Sequence, residues 1–259
     1  MKVSSKKIIT LILFLFFLLL LKVDYRYINE LNCCGDDFDY YSHAYTIAVD
    51  FDFDYYDQLD ENSEATYKYK DKIAPFGFFG TGLLSAPFVF IGNLIDFFDT
   101  NSLVSNKVFI YSLSSIFYLF FSIILLYESL KILKLDVNIL FITLILMGSG
   151  LSYFAFERYS MTHVYEVFTI SLVIYLVIKF YTSTTSSNYF SLLIPIATLL
   201  AISVRWVNYH VLFIPFILKI LFNDKFNDKN KLINNYFFYL SYFASTGMFL
   251  ILNKAIYGV

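Results

Sequence analysis

The sequence predicts an all-α protein, a polytopic transmembrane helical bundle of about seven spans with interfacial helices in its first outer loop. Composition is the first observation: 58% of the 259 residues are hydrophobic and only 15% are charged. A soluble domain is usually about half apolar and about a quarter charged. The second is a series of apolar runs of nearly spanning length, and the third is a dense acidic stretch after the first run. We expect one transmembrane domain over 1–259.

The first apolar run covers residues 8–21 and follows a basic start that contains Lys2, Lys6 and Lys7. A basic start before a short apolar run also occurs in signal peptides. The following segment, KVDYR at 22–26, does not form a small-x-small cleavage site. The sequence therefore predicts an uncleaved first helix with a cytoplasmic N-terminus.

Residues 24–106 are predicted to form an acidic extracytoplasmic loop. Within 24–72, thirteen acidic and four basic side chains give a net charge of −9. A solvated acidic loop is the simpler interpretation and accounts for most of these carboxylates. It does not account for the aromatic residues between the acids. Because Tyr and Phe anchor at headgroup depth, their presence favours a loop at the membrane interface.

A helix over 36–49 would place Asp36, Asp39, Tyr40 and His43 on one face. Two carboxylates with a histidine can act as a general base with its orienting partner, or bind a divalent metal. D-x-D spacings also fit a metal but arise easily in an Asp-rich stretch; they occur at Asp37/Asp39, Asp50/Asp52 and Asp52/Asp54. A divalent metal therefore stays open, and we expect no required cofactor.

The apolar segment 76–98 contains three glycines before Leu83, with Pro87 inside it. We interpret it as an interfacial or re-entrant helix on the outer face. If it crossed the membrane instead, every later side would be reversed. The lysine-rich turn at 223–234 would then lie outside, against the positive-inside rule.

Six later apolar runs complete the predicted bundle: 107–127, 137–155, 162–181, 189–204, 206–222 and 235–252. With a cytoplasmic N-terminus, the connections at 128–136, 182–188 and 223–234 face the cytoplasm. These connections hold or adjoin most of the lysines in this half of the chain, which agrees with the rule. We expect a multi-pass integral membrane protein, of the plasma or inner membrane in a prokaryote.

Further polar residues reach the same side as the acidic loop. They are Glu157, Arg158, His163, Arg205 and Asn208. An arginine near an apolar segment costs a few kcal/mol unless it has a partner or water, so each is a candidate for function. Simpler interpretations stay open: a snorkelling Arg205, a local Glu157–Arg158 ion pair, and hydrogen-bonded packing of His163.

Carboxylates and arginines at one rim of a membrane protein indicate chemistry on a lipid phosphate ester. A carboxylate can take a proton from an acceptor hydroxyl. An arginine can hold the departing phosphate in a fork of charge-assisted hydrogen bonds. The space between membrane helices would hold the lipid tail.

The segment Gly35-Asp36-Asp37-Phe38-Asp39-Tyr40, followed by DFDFD at 50–54, resembles the first outer loop of the GT-C glycosyltransferases. This superfamily includes the dolichyl-phosphate-mannose protein mannosyltransferases and the lipid A aminoarabinose transferases. Later segments resemble family motifs in the same order over roughly 1–258: APFG at 74–77, GLLSAPF at 82–88, MTHVYEVF at 161–168 and RWVN at 205–208.

The resemblance implies an integral-membrane enzyme that transfers a sugar from a polyprenyl-phosphate donor to a hydroxyl of a lipid, glycan or protein acceptor on the extracytoplasmic face. It implies Asp36 as the catalytic base, Asp37 as its neighbour, and Arg205 as a phosphate ligand. The full set of expected substrate-binding residues is Asp39, Tyr40, His43, Glu157, Arg158, His163, Arg205 and Asn208. Membrane lipids are expected partners, and nucleic acid is not.

The chain departs from the family pattern in three respects. The usual His-Pro-Pro of the interfacial segment is absent, and Trp206-Val207 replaces Pro-Thr after Arg205. Family members usually have more spans and a soluble C-terminal domain, so we expect this sequence to be the N-terminal part of such a protein.

Two other classes of protein stay open. A transporter or flippase subunit predicts carboxylates at the middle of a span and inverted repeats, neither of which the sequence displays. A non-catalytic membrane scaffold would use its acidic loop to bind a partner.

Overall fold

The computed structural model describes residues 5–22, 35–59, 66–69, 72–98, 106–183, 188–222 and 236–258. The predicted cytoplasmic turn at 223–234, part of the turn at 182–188, and the acidic-loop segments 23–34 and 60–65 lie outside the described residues. The α-helices are α1 Ser5–Leu20, α2 Gly35–Tyr45, α3 Phe79–Phe98, α4 Asn106–Ile132, α5 Ile139–Gly148, α6 Leu151–Phe156, α7 Thr162–Thr182, α8 Asn188–Val204, α9 Ile214–Leu221 and α10 Tyr236–Tyr257.

The described residues form an almost wholly helical protein, as predicted. A π-helix, Thr46–Asp50, continues α2, and a 3₁₀-helix, Trp206–Phe213, precedes α9. One hairpin was not predicted: β1, Thr66–Tyr69, pairs antiparallel with β2, Lys72–Pro75.

Within the described part of the chain, three helices are long and apolar enough to cross a membrane: α3, α4 and α7. Shorter apolar helices cover Ile8–Leu20, Ile139–Gly148, Tyr189–Val204 and Trp206–Leu221. These findings agree with a membrane protein. The count of about seven spans and the cytoplasmic N-terminus stay predictions.

The predicted span 137–155 is divided into two helices. Asn138 caps α5, because its side chain accepts a hydrogen bond from the N–H of Leu140 at 3.0 Å. Ser149 and Gly150 separate α5 from α6. The ten residues of α5 rise only about 15 Å, half of a bilayer core, so this region departs from the simple span that the apolar run indicated.

Helices α4 and α7 run side by side in the same direction. The hydroxyls of Ser114 and Tyr165 are 2.6 Å apart, and one turn further the rings of Tyr118 and Phe168 have centroids 4.6 Å apart. Helix α8 runs antiparallel to α7. This direction follows from the ion pair between Arg205, directly after the last residue of α8, and Glu166, near the start of α7. The starts of α4 and α7 and the last turn of α8 therefore lie at one end of the bundle, called the acidic end below.

Both ends of α3 contact this acidic end. A Cβ on Gly80 would lie 2.3 Å from the backbone of Ser203 at the last turn of α8, so only glycine permits this approach. At the other end of α3, Asp96 caps α4 by accepting hydrogen bonds from the backbone N–H of Asn106, at 2.9 Å, and of Lys107. Between these ends α3 packs along the first half of α4 in the opposite direction, since the hydroxyl of Tyr118 donates to the carbonyl oxygen of Leu84 at 2.7 Å and a Cβ on Gly92 would lie 2.5 Å from Cα of Lys107. The helix is long and apolar enough to span, and its interfacial or re-entrant placement stays a prediction.

Candidate active site

The acidic residues of α2 differ in exposure. Asp36, at the first turn of α2, is exposed, whereas the side chains of Asp37 and Asp39 are buried. Carboxylates in the first turn of a helix are favoured by the unpaired N–H groups there. The predicted face through Asp36, Asp39, Tyr40 and His43 thus runs from solvent into the protein.

Asp37 lies against Arg158, which belongs to the turn between α6 and α7. The Oδ2 of Asp37 and the Nε of Arg158 are 3.7 Å apart, and the two side chains are 5% and 19% exposed. Arg158 therefore pairs with a carboxylate 121 positions away in the sequence and not with its neighbour Glu157. Glu157 is exposed, and its carboxylate has no ion pair among the described residues.

Tyr40 lies within electrostatic reach of both the α2 carboxylates and the Arg205 guanidinium. Burial and the nearby Asp36 carboxylate raise the pKa of Tyr40 to about 12, and the Arg205 guanidinium opposes this shift. The carboxylates of Asp39 and Asp37 also act on it. One buried hydroxyl thus lies within electrostatic reach of three aspartates of α2 and of Arg205, 165 positions along the chain.

Arg205 is the more accessible of the two arginines, because 40% of its side chain is exposed. Its Nη1 is 3.4 Å from Oε2 of Glu166, one turn into α7. Glu166 was not predicted to take part in the site. Its place four residues into a helix, on the face towards Arg205, follows only from the packing of α7 against α8.

Asp39 is a buried carboxylate with backbone donors. It accepts hydrogen bonds from the backbone N–H groups of Phe76 and Gly77. Burial, together with the negative charge of Asp36, raises the pKa of Asp39 to about 6 despite these donors. Asp39 therefore changes charge close to neutral pH.

His43 is fully buried and both ring nitrogens have partners within the protein. Nδ1 is 2.7 Å from the hydroxyl of Tyr55, and Nε2 is 2.9 Å from the carbonyl oxygen of Gly77. Burial lowers the pKa of His43 to about 4, so the ring is neutral at ordinary pH. The structure thus places His43 beneath the site, where it positions backbone, and not in a place open to substrate.

His163 and Asn208 lie at the edge of the site. His163 packs against Phe154, with ring centroids 3.9 Å apart and ring planes tilted by 57°, and lies close to the charges of Arg205 and Glu166. Asn208 is fully buried, and its Nδ2 donates to the carbonyl oxygen of Ala201 at 3.1 Å. Asn208 thereby joins the 3₁₀-helix to the end of α8, next to Arg205.

A third cation, absent from the predicted set, supports the turn that carries Arg158. The Nζ of Lys22, just beyond α1, donates to the carbonyl oxygen of Phe156 at 3.2 Å and lies 4.6 Å from the ring centroid of Tyr159. A lysine at the end of an apolar helix is an ordinary sequence feature, so no sequence signal marked this role.

In the second acidic stretch of the loop, residues 50–54, two carboxylates accept hydrogen bonds from nearby backbone N–H groups. Asp52 Oδ1 accepts from the N–H of Asp54, and Asp54 Oδ1 accepts from the N–H of Tyr56, at 3.0 and 3.1 Å. Such contacts are Asx turns. Within the described ranges, no group of three His, Cys, Asp or Glu residues is placed to hold a metal ion.

An apolar cleft of about 250 Å³ opens between α8, the 3₁₀-helix and α10. Its lining includes Leu199, Ile202, Leu212, Phe249 and Leu250. Ile202 lies three residues before Arg205, so the cleft reaches the last turn of α8.

Comparison of the chain with protein-family models, with curated proteins and with solved structures finds no match. The motifs and the geometry of the acidic end therefore carry the functional argument.

Proposed function

We propose that this chain is an integral-membrane glycosyltransferase, which transfers a sugar from a polyprenyl-phosphate donor to a hydroxyl of a lipid, glycan or protein acceptor at the extracytoplasmic face. One observation carries the proposal. Side chains distant in sequence, the aspartates of α2 and Arg205, act electrostatically on the same hydroxyl, that of Tyr40, at one end of an apolar helical bundle.

Asp36 is assigned the role of general base. Of the three aspartates in α2 it alone is exposed, so an acceptor hydroxyl can reach its carboxylate. In the transfer step the acceptor O–H gives its proton to Asp36 while its oxygen forms a bond to the anomeric carbon of the sugar. Asp37, buried against Arg158, holds the first turn of α2 in place beside it.

Arg205 is assigned to the departing phosphate. The bond between the anomeric carbon and the phosphate oxygen breaks, and its electron pair stays on the polyprenyl phosphate. A guanidinium binds phosphate through a planar fork of donors, and Glu166 fixes the orientation of that fork while leaving much of it exposed.

The apolar cleft supports a lipid-linked donor over a soluble one. Its aliphatic and aromatic lining suits a prenyl chain, and its volume of about 250 Å³ holds the first few isoprene units of the carrier. Because Ile202 lines the cleft and Arg205 follows on the same helix end, a bound tail would present its phosphate to the guanidinium.

The decisive experiment is the Asp36→Asn substitution. We expect transfer to fall about 1,000-fold, because a positioned general base contributes roughly 10²–10⁴ in rate. The measurement is transfer of labelled sugar in membrane vesicles from a set of polyprenyl-phosphate hexoses. Asn keeps the size and the polar oxygen, so accumulation of the protein in the membrane should not change.

The matched control is Asp54→Asn, in the same acidic loop. Its side-chain oxygen can still accept from the N–H of Tyr56, and its charge plays no part in the proposed chemistry. Normal transfer by an Asp36→Asn protein that accumulates as the wild type does would refute Asp36 as the base. Equal losses in both variants would mean that the negative charge of the loop as a whole, and not a base at Asp36, supports transfer.

A further inference from the structure

Gly77 lies between β2 and α3, and distant parts of the chain form hydrogen bonds with its backbone carbonyl and N–H. Its carbonyl oxygen accepts from His43 Nε2 at 2.9 Å and from the hydroxyl of Tyr257 at 2.8 Å. Its N–H donates to Asp39. The backbone of Gly77, between the hairpin and α3, is thus bound by both α2 and the end of α10.

The donor and acceptor roles in this cluster can be assigned. A carbonyl oxygen only accepts, so Nε2 of His43 carries the proton towards Gly77. The neutral ring then has an acceptor at Nδ1, and the hydroxyl of Tyr55 donates to it at 2.7 Å. His43 and Tyr55 are fully buried and Tyr257 is nearly so, which means that little water can replace any of these bonds.

Tyr257 also contacts the other wall of the site. Its ring lies edge-on to that of Trp206, with centroids 6.3 Å apart, and Trp206 meets Phe78 at 5.7 Å. Trp206 follows Arg205 directly, and Phe78 follows Gly77. The same tyrosine therefore touches the segment that supports the carboxylates and the residue next to the phosphate-binding arginine.

Gly77 packs closely against α2, with no room for a side chain between them. A Cβ on Gly77 would lie 2.9 Å from the ring of Tyr40 and 3.1 Å from Cβ of Asp39. A displacement of this peptide would therefore push Tyr40 and Asp39, and with them the first turn of α2.

We propose that Tyr257 is a positioning residue, which fixes the spacing between the α2 carboxylates and Arg205 by holding the Gly77 carbonyl on one side and the Trp206 ring on the other. The assignment to catalysis rests on the proposed function. The physical contact does not, because the hydrogen bond and the ring contacts stand by themselves. Neither His43 nor Tyr257 needs to touch substrate in this role.

The test is Tyr257→Phe in the full chain, which removes the hydroxyl and keeps the ring against Trp206. We expect kcat to fall about five- to tenfold, the equivalent of about one neutral hydrogen bond, while KM for the polyprenyl-phosphate sugar stays within about twofold. Hydrogen–deuterium exchange of the 72–80 segment should accelerate at Phe76 and Gly77.

Tyr239→Phe is the control, because Tyr239 lies 18 residues before Tyr257 on the same helix and packs against the hydrophobic cluster of α7 and α8, away from Gly77 and outside the lining of the apolar cleft. It should change neither kcat nor exchange at 72–80. Unchanged exchange and kcat in Tyr257→Phe would overturn the positioning role. So would a loss of thermal stability with normal kcat, which indicates a structural role alone. A wild-type chain without transfer activity would refute the proposed function, while faster exchange in Tyr257→Phe would still report the contact.

Discussion

Two aspartate-rich stretches of the same loop differ in burial and in the groups that their carboxylates contact. Residues 36–39 and 50–54 both read as aspartates spaced by aromatic residues. In the first, Asp37 and Asp39 are buried, at 3% and 6% exposure. In the second, the carboxylates lie at the surface: Asp52 and Asp54 accept hydrogen bonds from the backbone two residues ahead, and Asp50 accepts one from the side chain of Gln58.

The difference arises from what each stretch packs against. The first forms a helix whose buried face meets α3 and the turn that carries Arg158. The second begins at Asp50, the last residue of the π-helix, and continues through Phe51, whose positive φ of 62° ends that helix. Aspartate side chains thus either form a carboxylate cluster near Arg158 and Arg205 or accept hydrogen bonds within surface turns. An Asp-rich pattern alone does not distinguish the two outcomes.

The difference in burial between the two stretches predicts the largest loss of stability at Asp37. We expect Asp37→Ala to lower the free energy of unfolding by about 3–5 kcal/mol, because the change removes the buried carboxylate that faces the largely buried Arg158 guanidinium. Thermal unfolding in detergent measures this. Asp37→Ala, Arg158→Met and the double variant form a cycle, in which the double variant should recover part of the loss. Additive losses would show that the two side chains do not interact.

Asp39 gives the next effect, in the pH dependence of stability. The folded protein has a pKa of about 6 for Asp39, against about 3.8 in the unfolded chain. Because the folded form binds the proton more tightly, stability is greatest below pH 4 with respect to this group and falls as pH rises to about 6. The total change is about 3 kcal/mol.

The variant Asp39→Asn cannot titrate, so it should lose this part of the slope between pH 4 and 6. Unfolding midpoints measured from pH 4 to 8 check the expectation, with Asp54→Asn as the control that keeps the wild-type slope. An unchanged slope in Asp39→Asn would mean that Asp39 is as well solvated in the folded protein as in the unfolded chain.

Local features of the site were predictable, and long-range partners were not. The spacing of Asp36, Asp39, Tyr40 and His43 predicted a helix over 36–49, and the structure has α2 and its π-helical extension over 35–50. Helical periodicity depends only on neighbouring residues, so the sequence contains it. Composition likewise indicated a helical membrane protein, and α4 and α7 cover two of the predicted spans.

Contacts across the chain depend on how helices pack, which no local pattern records. Arg158 has Glu157 as its neighbour in sequence yet pairs with Asp37. Glu166 reaches Arg205 because α7 and α8 run in opposite directions. His43 carries the residue type of a catalytic base, but its two nitrogens are used by Tyr55 and the Gly77 carbonyl.

The smallest effect is expected in the outer stretch, at Asp54. Asp54→Ala removes the acceptor for the N–H of Tyr56 and should cost less than about 1 kcal/mol, since solvent can replace an exposed hydrogen bond. Asp54→Asn, which keeps the acceptor, should match the wild type, and both variants should retain full sugar transfer. Unfolding midpoints and vesicle assays measure the two quantities. A large loss of transfer in Asp54→Asn, with unchanged stability, would mean that the charge of the outer stretch takes part in function and that the two stretches differ less than their packing indicates.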